Sequence, residues 1–417
     1  MRNLLLITSL LLLFCSFSED PIKISVREIL SSVMKERRVM NNLQTIDYLN
    51  GLNYRLPILK DVGFKYGTDD LTNTKRQYAT SLGFNTFKII KEQASLKNAH
   101  INLYQAKRDM LLNQVLQERY MDMVDAYFSQ NLLDKHNQLD SLLNQKQTVL
   151  KKSLQKGLPI KVKDLVETED DLLNVRLALS EMNNVWSLSH QRIQEYVGVQ
   201  TPFVMSFDNF ISITKLEEIL HVIKTNKNLQ TPELKINQSR INVSKSELRL
   251  EEAQFKQYFD GFQLIYQQKN KTDFSSLDFS FRIGVNFPIK SNFRPKQNAL
   301  LLDLKETEND YQFALFQTER TLKTQLLMME NLIKQYRSSL DALNNSLSIN
   351  LLNTPSVLAT LLPADIIDLK IIQQRKNIEL VKMNYGLLKE YIKLLVITGD
   401  LTYSPYRNYL SNNLEKW

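Results

Sequence analysis

Two stretches of this chain, residues 84–156 and 296–354, contain neither glycine nor proline and are dominated by Gln, Asn, Leu, Lys and Glu. Runs free of both breakers for so long predict single helices. At 1.5 Å per residue, a helix of about 60 to 70 residues runs on the order of 100 Å, several times the width of a compact domain. The 417 residues could make two or three ordinary domains, but only 10 Gly and 10 Pro punctuate them. In the first stretch Leu96, Leu103, Met110 and Val124 form one heptad column, interrupted at Gln117. Ala99, Ala106, Tyr120 and Tyr127 form a second, interrupted at Asn113, which makes a coiled-coil seam with gaps. A filamentous coiled coil would account for this helix alone, but the chain doubles back. "QKGLPIK" at 155–161 reverses into a breaker-free stretch at 162–197, and "NTPSVLATLLPAD" at 353–365 leads into a helix over 364–398.

Between the helical stretches the texture changes to alternation. In "LDFSFRIGVNFPI", Leu277, Phe279, Phe281, Ile283, Val285 and Phe287 take one face, and Asp278, Ser280, Arg282, Gly284 and Asn286 the other. "GFQLIYQQK" alternates Phe262, Leu264 and Tyr266, and "KNKTDFSS" supplies the turn of a β-hairpin over about 261–287. A second β-hairpin, over about 61–86, alternates Val62, Phe64 and Tyr66, then Tyr78, Thr80, Leu82 and Phe84.

The two halves can be laid over one another. "EIL" at 28–30 recurs at 218–220, while Asp164, Leu165, Val166, Glu167 and Gly198 match Asp365, Ile366, Ile367, Asp368 and Gly399 at one constant offset. A duplicated unit of helix, β-hairpin, long helix, tip and return helix is expected. The first repeat covers 19–200, with a long helix over about 88–155, a tip at 155–161 and a return helix over 162–198. The second covers 201–400, with a helix over 231–258, a long helix over 296–352, a tip at 353–363 and a return helix over 364–398, before a C-terminal tail at 401–417.

Residues 1–18 read as a cleaved export signal, in which Arg2 precedes an apolar run from Leu4 to Phe14 and the small Ser16 and Ser18 precede Glu19. No later stretch reaches about 18 uninterrupted apolar residues, so no transmembrane helix is expected. Cys15 invites lipidation, but the bulky Phe14 stands before it. If cleavage follows Ser18, the one cysteine leaves with the signal, and neither disulfides nor thiolate metal sites hold the fold. The formal net charge of +8 is interspersed rather than gathered on one basic face, which speaks against nucleic acid as a partner.

Four strands of about ten residues, apolar on one face and polar on the other, have the length and alternation of outer-membrane barrel strands. A sheet in lipid must have no open edge, and closed barrels begin at about eight strands, so several copies of the chain must pool their strands. The competing reading, a soluble four-stranded sheet packed on helices, is disfavoured by the length of those helices.

In these residues the chain resembles the TolC-like outer-membrane efflux proteins over essentially its whole mature length. The resemblance is carried by "KGL" at 156–158 followed by "KDLVETEDDLLNVRLAL" and closing in "YVGV", by "TPEL" at 231–234, by "NFPI" at 286–289, and by "DIIDL" at 365–369 closing in "VITGDL". No single tetrapeptide among these is specific; their order, spacing and duplication are. The resemblance implies a mainly α fold with a membrane β-barrel, in which each protomer of a homotrimer gives four strands to a shared twelve-stranded barrel. The helices would form a long antiparallel α-helical barrel, or tunnel, into the periplasm. It further implies a passive exit duct for drugs, small molecules or proteins in a tripartite efflux or type I-like secretion system. Such a duct lies in the outer membrane, touches its lipid, and works with a periplasmic adaptor and an inner-membrane transporter of RND or ABC type. No cofactor and no metal are implied. The chain departs from the pattern where "GFNTFKII" lacks the proline that the second repeat has at Pro288, and where "NTPSVLATLLPAD" replaces a glycine turn. The segment near 200–230 is also short for an elaborated equatorial collar.

Carried over residue by residue, "DIIDL" puts Asp365 and Asp368 at the narrow periplasmic entrance, where threefold symmetry would stack two rings of carboxylates and concentrate cations. Residues three apart on a helix share a face. The plainer account is that Asp365 caps the helix after Pro363 and that the acids complement the helix dipole. Asp164 and Glu167 are expected to cap and to hydrogen-bond between neighbouring helices near the first tip. Gly157 and Leu158 match the adaptor-facing turn. No catalytic constellation competes, because His100, His136, His190 and His221 are widely spaced, mostly helix-surface residues, with no metalloprotease motif, phosphate loop or nucleophile elbow. Met328, Met329 and Trp186 read as packing groups. The rival readings are a periplasmic adaptor, which would have one helical hairpin flanked by Gly-rich β-domains, and a structural coiled coil, which would need no amphipathic strands.

Overall fold

The computed structural model of the chain describes residues 22–52, 58–68, 76–157, 161–201, 203–206, 210–225, 231–257, 259–268, 277–285 and 293–417. The expected export signal at 1–18, Leu158 at the expected first tip, and Phe287 and Pro288 lie outside these residues. In chain order the elements are β1 (Ile22–Ser25), α1 (Val26–Ser31), α2 (Arg37–Gly51), β2 (Leu59–Thr68), β3 (Arg76–Phe84), α3 (Phe87–Gln155), α4 (Val162–Val197) and β4 (Phe203–Ser206). There follow α5 (Ile213–Thr225), α6 (Pro232–Phe255), β5 (Phe259–Gln268), β6 (Leu277–Val285), α7 (Phe293–Asn344), α8 (Leu347–Leu352), α9 (Pro355–Leu358) and α10 (Pro363–Thr398).

The two halves of the chain agree in backbone detail. The return helices α4 and α10 end at Gly198 and Gly399, both left-handed with φ of 78° and 76°, a conformation that costs glycine nothing because it has no Cβ. Both hairpins shift register at the same point of their first strand, between Leu59 and Asp61 in β2 and between Phe259 and Gly261 in β5. The leading strands of the repeats, β1 and β4, pair with one another in parallel, Ile22 opposite Phe203 and Ser25 opposite Ser206. Four residues are too few to show a period, so these strands were not legible in the sequence.

The chain forms two compact units, and each draws on both repeats. The helical unit comprises the described parts of 1–36, 112–229 and 321–417. Its core is a seam in which Leu132, Leu139 and Leu143 of α3 meet Leu172 and Val175 of α4 and Ile371 and Ile378 of α10. Heptad spacing brings Leu132 with Leu139, and Ile371 with Ile378, to one helix face. So α3 packs against the return helix of the other repeat as well as its own. Each fully buried Leu or Ile contributes about 1.5–3 kcal/mol. The tail at 401–417 is folded onto this unit: the buried Tyr120 hydroxyl donates to the Arg407 carbonyl at 2.8 Å and accepts from the Tyr409 N–H at 3.2 Å. Ion pairs Lys224–Glu330 and Arg337–Glu217, at 2.8 and 2.5 Å, tie α5 to α7.

The second unit, 37–111 and 230–320, holds the sheet, ordered β2-β3-β5-β6 with every neighbour antiparallel. Where the first repeat lacks proline after its hairpin, Thr86 starts α3 instead, its hydroxyl accepting from the Ile89 N–H at 3.4 Å. Lys97 donates to the carbonyls of Asn50 and Leu52, at 3.1 and 2.7 Å, and so closes the C-terminal end of α2. One expected boundary moves. The second long helix stops at Asn344 and not at 352, because Asn344, Asn345 and Ser346 favour turns and Ser346 becomes the N-cap of the separate α8. The tip expected at 353–363 accordingly contains the short helix α9.

Candidate functional site

The sheet presents its apolar side outward. Its register lays three rows across the four strands: Tyr66, Tyr78, Tyr266, Phe279; then Phe64, Thr80, Leu264, Phe281; then Val62, Leu82, Phe262, Ile283. Rings along the first row follow at 5.3, 5.9 and 5.4 Å, and Phe84 meets Phe262 at 5.1 Å toward the helix-proximal end. The side chains on the edge strands are the most uncovered, Phe64 at 80%, Phe279 at 64%, Phe281 at 60% and Ile283 at 61%, while Leu82, Phe262 and Tyr266 on the central strands are half-buried among their neighbours. A monomeric soluble protein rarely exposes a contiguous apolar patch beyond a few hundred Å², and leaving a Phe in water costs about 2 kcal/mol.

The opposite face is mostly small or polar, with Gly63, Ser81, Gln263 and Arg282 in one row and Asp61, Gly83, Gly261 and Gly284 in the next; the exception is Ile265, buried in a row with Lys65, Ala79 and Ser280. One of these glycines is sterically required: a Cβ on Gly261, where φ is 153°, would stand 2.0 Å from the Leu82 carbonyl oxygen. A Cβ on Gly83 would meet the Asp61 carboxylate at 2.6 Å, a side chain that could swing aside. Among the described residues, β2 and β6 pair on one side only, which leaves two rows of backbone donors and acceptors open. Strands of nine and ten residues match the length that crosses a bilayer when tilted. Among the described residues no helix is long and apolar enough to cross a membrane.

At the other candidate region, Asp365 lies in the first turn of α10 and is exposed, but it does not cap the helix. The N-cap is Leu362, which makes no side-chain cap hydrogen bond. Asp368 is ion-paired with Lys146 of α3 at 2.7 Å. In the first repeat Lys161, not Asp164, occupies the N-cap of α4. The Asp164 carbonyl accepts from the Thr168 hydroxyl at 2.6 Å, and Glu167 pairs with Lys163 of its own helix at 3.4 Å. Gly157 is left-handed at φ 70°, its N–H donating to the Leu154 carbonyl at 3.0 Å.

Sequence reasoning missed a pair of clamps halfway along α3. Asp122, buried, accepts from Arg192 at 3.1 Å and from the Tyr196 hydroxyl at 2.5 Å, both on α4. Burial first, and then the hydrogen bond to Asp122, raises the Tyr196 pKa above its ordinary value. Arg119 lies over the Tyr196 ring and donates to Glu36 at 2.6 Å. One turn along, Asp125 accepts from Tyr385 at 2.7 Å and pairs with Lys389 at 2.8 Å, both on α10. Each aspartate is thus held by a tyrosine and a cation one turn apart on a return helix. Asp122 is buried whereas Arg192 is exposed, so the costly change at this clamp is removal of the Tyr196 hydroxyl, which leaves a buried carboxylate short of a donor. The available signal was "MDMVDAY", where acids interrupt an apolar helix stripe. His136, expected at the surface with the other histidines, is buried between helices, and neither ring nitrogen has a hydrogen-bond partner.

No protein-family model matches the chain, and no curated protein does. Solved structures do. CusC, described for the conformational changes that accompany folding and transmembrane channel formation, aligns with a TM-score of 0.63 and 13% identity over 90% of this chain and 92% of that one. The outer-membrane channel OprN aligns with a TM-score of 0.64 and 10% identity over 90% of this chain and 89% of that one. The Campylobacter jejuni outer membrane channel CmeC aligns with a TM-score of 0.60 and 10% identity over 90% and 85%. At these identities the likeness is one of fold.

Proposed function

We propose, from the fold this chain has in common with the TolC-like outer-membrane channels, that it is one protomer of an outer-membrane exit duct. The observation that carries this reading is the sheet, an antiparallel ribbon with an exposed apolar face and two open edges, on a chain with helices of 69 and 52 residues. In hydrocarbon each unpaired N–H or C=O costs several kcal/mol, so the sheet of one protomer cannot be inserted alone. Pairing β2 of one copy with β6 of the next removes both edges, and three copies close a barrel of twelve strands. The aromatic rows then face lipid, and the glycine, serine and glutamine face lines the pore.

Transport through the duct is passive. An inner-membrane transporter of RND or ABC type supplies the energy, joined through a periplasmic adaptor, and the cargo is drugs, small molecules or proteins. Gly157 and Leu158 form the adaptor-facing turn, beside the first turns of α4, where Asp164 and Glu167 make their contacts within their own helix. Asp365 and Asp368 ring the periplasmic entrance. Because Lys146 neutralises Asp368 within the protomer, Asp365 carries most of the uncompensated charge.

Cysteine pairs test the barrel directly. Phe64→Cys with Phe281→Cys, and neighbouring pairs along β2 and β6, should cross-link the chain into a covalent trimer in outer-membrane fractions. A salt-extracted monomer, or cross-links confined within one chain, overturns the reading. In planar bilayers Asp365→Ala with Asp368→Ala should remove cation preference and divalent block, and unchanged currents would reject that role.

A further inference from the structure

A cavity of about 440 Å³ lies within the helical unit, between α3, α4 and β4, and none of the surfaces described above uses it. Its wall is aromatic. Trp186 and His190, one turn apart on α4, stack at 4.7 Å and 26°, and His190 stacks on Phe203 of β4 at 3.8 Å and 11°. Tyr127 lines it from α3, and so do Gln130 and Asp134, one turn apart, with the Gln130 amide donating to Asp134 Oδ1 at 3.3 Å.

The electrostatics of the cavity run against those of the chain. Net charge overall is +8, yet Asp134 is the one formally charged side chain among the described lining residues at neutral pH. Burial lowers the His190 pKa, so the imidazole adds no opposing charge there. The volume suits a small organic molecule, and aromatic walls with one carboxylate favour a cation of low hydration. An anion would meet Asp134, and a neutral apolar molecule would gain nothing from that carboxylate, which is exposed to water. A metal ion would find one carboxylate and side-chain amides, short of the six to eight oxygens that calcium takes.

We propose that this cavity binds a lipophilic organic cation, an ammonium or phosphonium whose charge is wrapped in aromatic or aliphatic groups. Trp186 and Trp417 are the only tryptophans, so Trp417→Phe leaves a single fluorescent reporter inside the cavity. Titrating that full-length chain in detergent with tetraphenylphosphonium should quench Trp186 saturably. Neutral triphenylphosphine oxide should need roughly tenfold more, and Asp134→Asn should raise the half-saturating concentration about five- to tenfold. Acidification that charges His190 should weaken binding further. Calorimetry on the unsubstituted chain and on Asp134→Asn repeats the comparison with Trp417 in place. Quenching that never saturates, or affinity indifferent to Asp134 and to ligand charge, overturns the proposal.

Discussion

The four-stranded sheet and the α3–α4–α10 seam use the same kinds of residue in opposite senses. In the seam Leu132, Leu139, Ile371 and Ile378 turn toward one another and are buried. In the sheet Phe64, Phe279, Phe281 and Ile283 turn away from the chain, while Gly63, Gly83, Ser81 and Gln263 take the other side. An apolar side chain is stabilised by leaving water, and it is indifferent to whether protein or hydrocarbon replaces the water. The seam finds its non-aqueous neighbour within the protomer. The sheet has to find one outside it, and its open edges say that the same neighbour cannot satisfy the backbone.

The contrast can be broken by truncation. Leu139→Ala should destabilise the helical unit by about 2–5 kcal/mol, read as a lowered midpoint in thermal circular dichroism. Phe281→Ala, which removes no protein contacts of comparable extent, should shift the same midpoint by less than about 1 kcal/mol. Equal losses would mean that the sheet buries its phenylalanines after all. Next in size is Phe281→Arg, which at mid-strand costs about 2–4 kcal/mol per copy on a lipid-facing strand and close to nothing on an exposed soluble one. The readout is the fraction of detergent-resistant oligomer in outer-membrane extracts.

The seam makes a pH prediction that the sheet does not. Burial, and then the Lys382 charge, lowers the His136 pKa, with Glu379 opposing. The unfolded chain therefore binds more protons than the folded one below about pH 6.5, and stability falls as pH falls through that range. His136→Phe should flatten this dependence, a tenfold difference in proton affinity between the folded and unfolded chain being worth about 1.4 kcal/mol. Unfolding curves taken between neutral and mildly acidic pH decide it, with a slope unchanged in the variant counting against the assignment. The smallest effect is expected at the helix ends. Lys146→Met frees the Asp368 carboxylate and should modestly strengthen cation preference in bilayer recordings, whereas with Asp365 and Asp368 both replaced by Ala the same change should do nothing.

Much of this was legible before any coordinates. Long runs without Gly or Pro gave α3 and α4 close to their observed ends, and strict alternation gave all four long strands. What escaped has a common cause. The break at Ser346 and the strands β1 and β4 depend on one turn or four residues, too short for periodicity to register. The acids Asp365 and Asp368 were visible as a pair, but not Lys146, which is remote in sequence and reaches Asp368 only because α3 and α10 run side by side. The clamps at Asp122 and Asp125 are hidden for the same reason, since their partners lie on two return helices.

Period is a local property, so the residues alone settled the long helices, the four long strands, and which face of those strands is apolar. Partnership is not local. That α3 would pack against the return helices of both repeats, that His136 would be buried without a partner, and that Trp186, Phe203 and Asp134 would meet around one cavity followed only once the helices were packed. Those contacts join positions far apart in the chain, and no pattern along it records the distance between them.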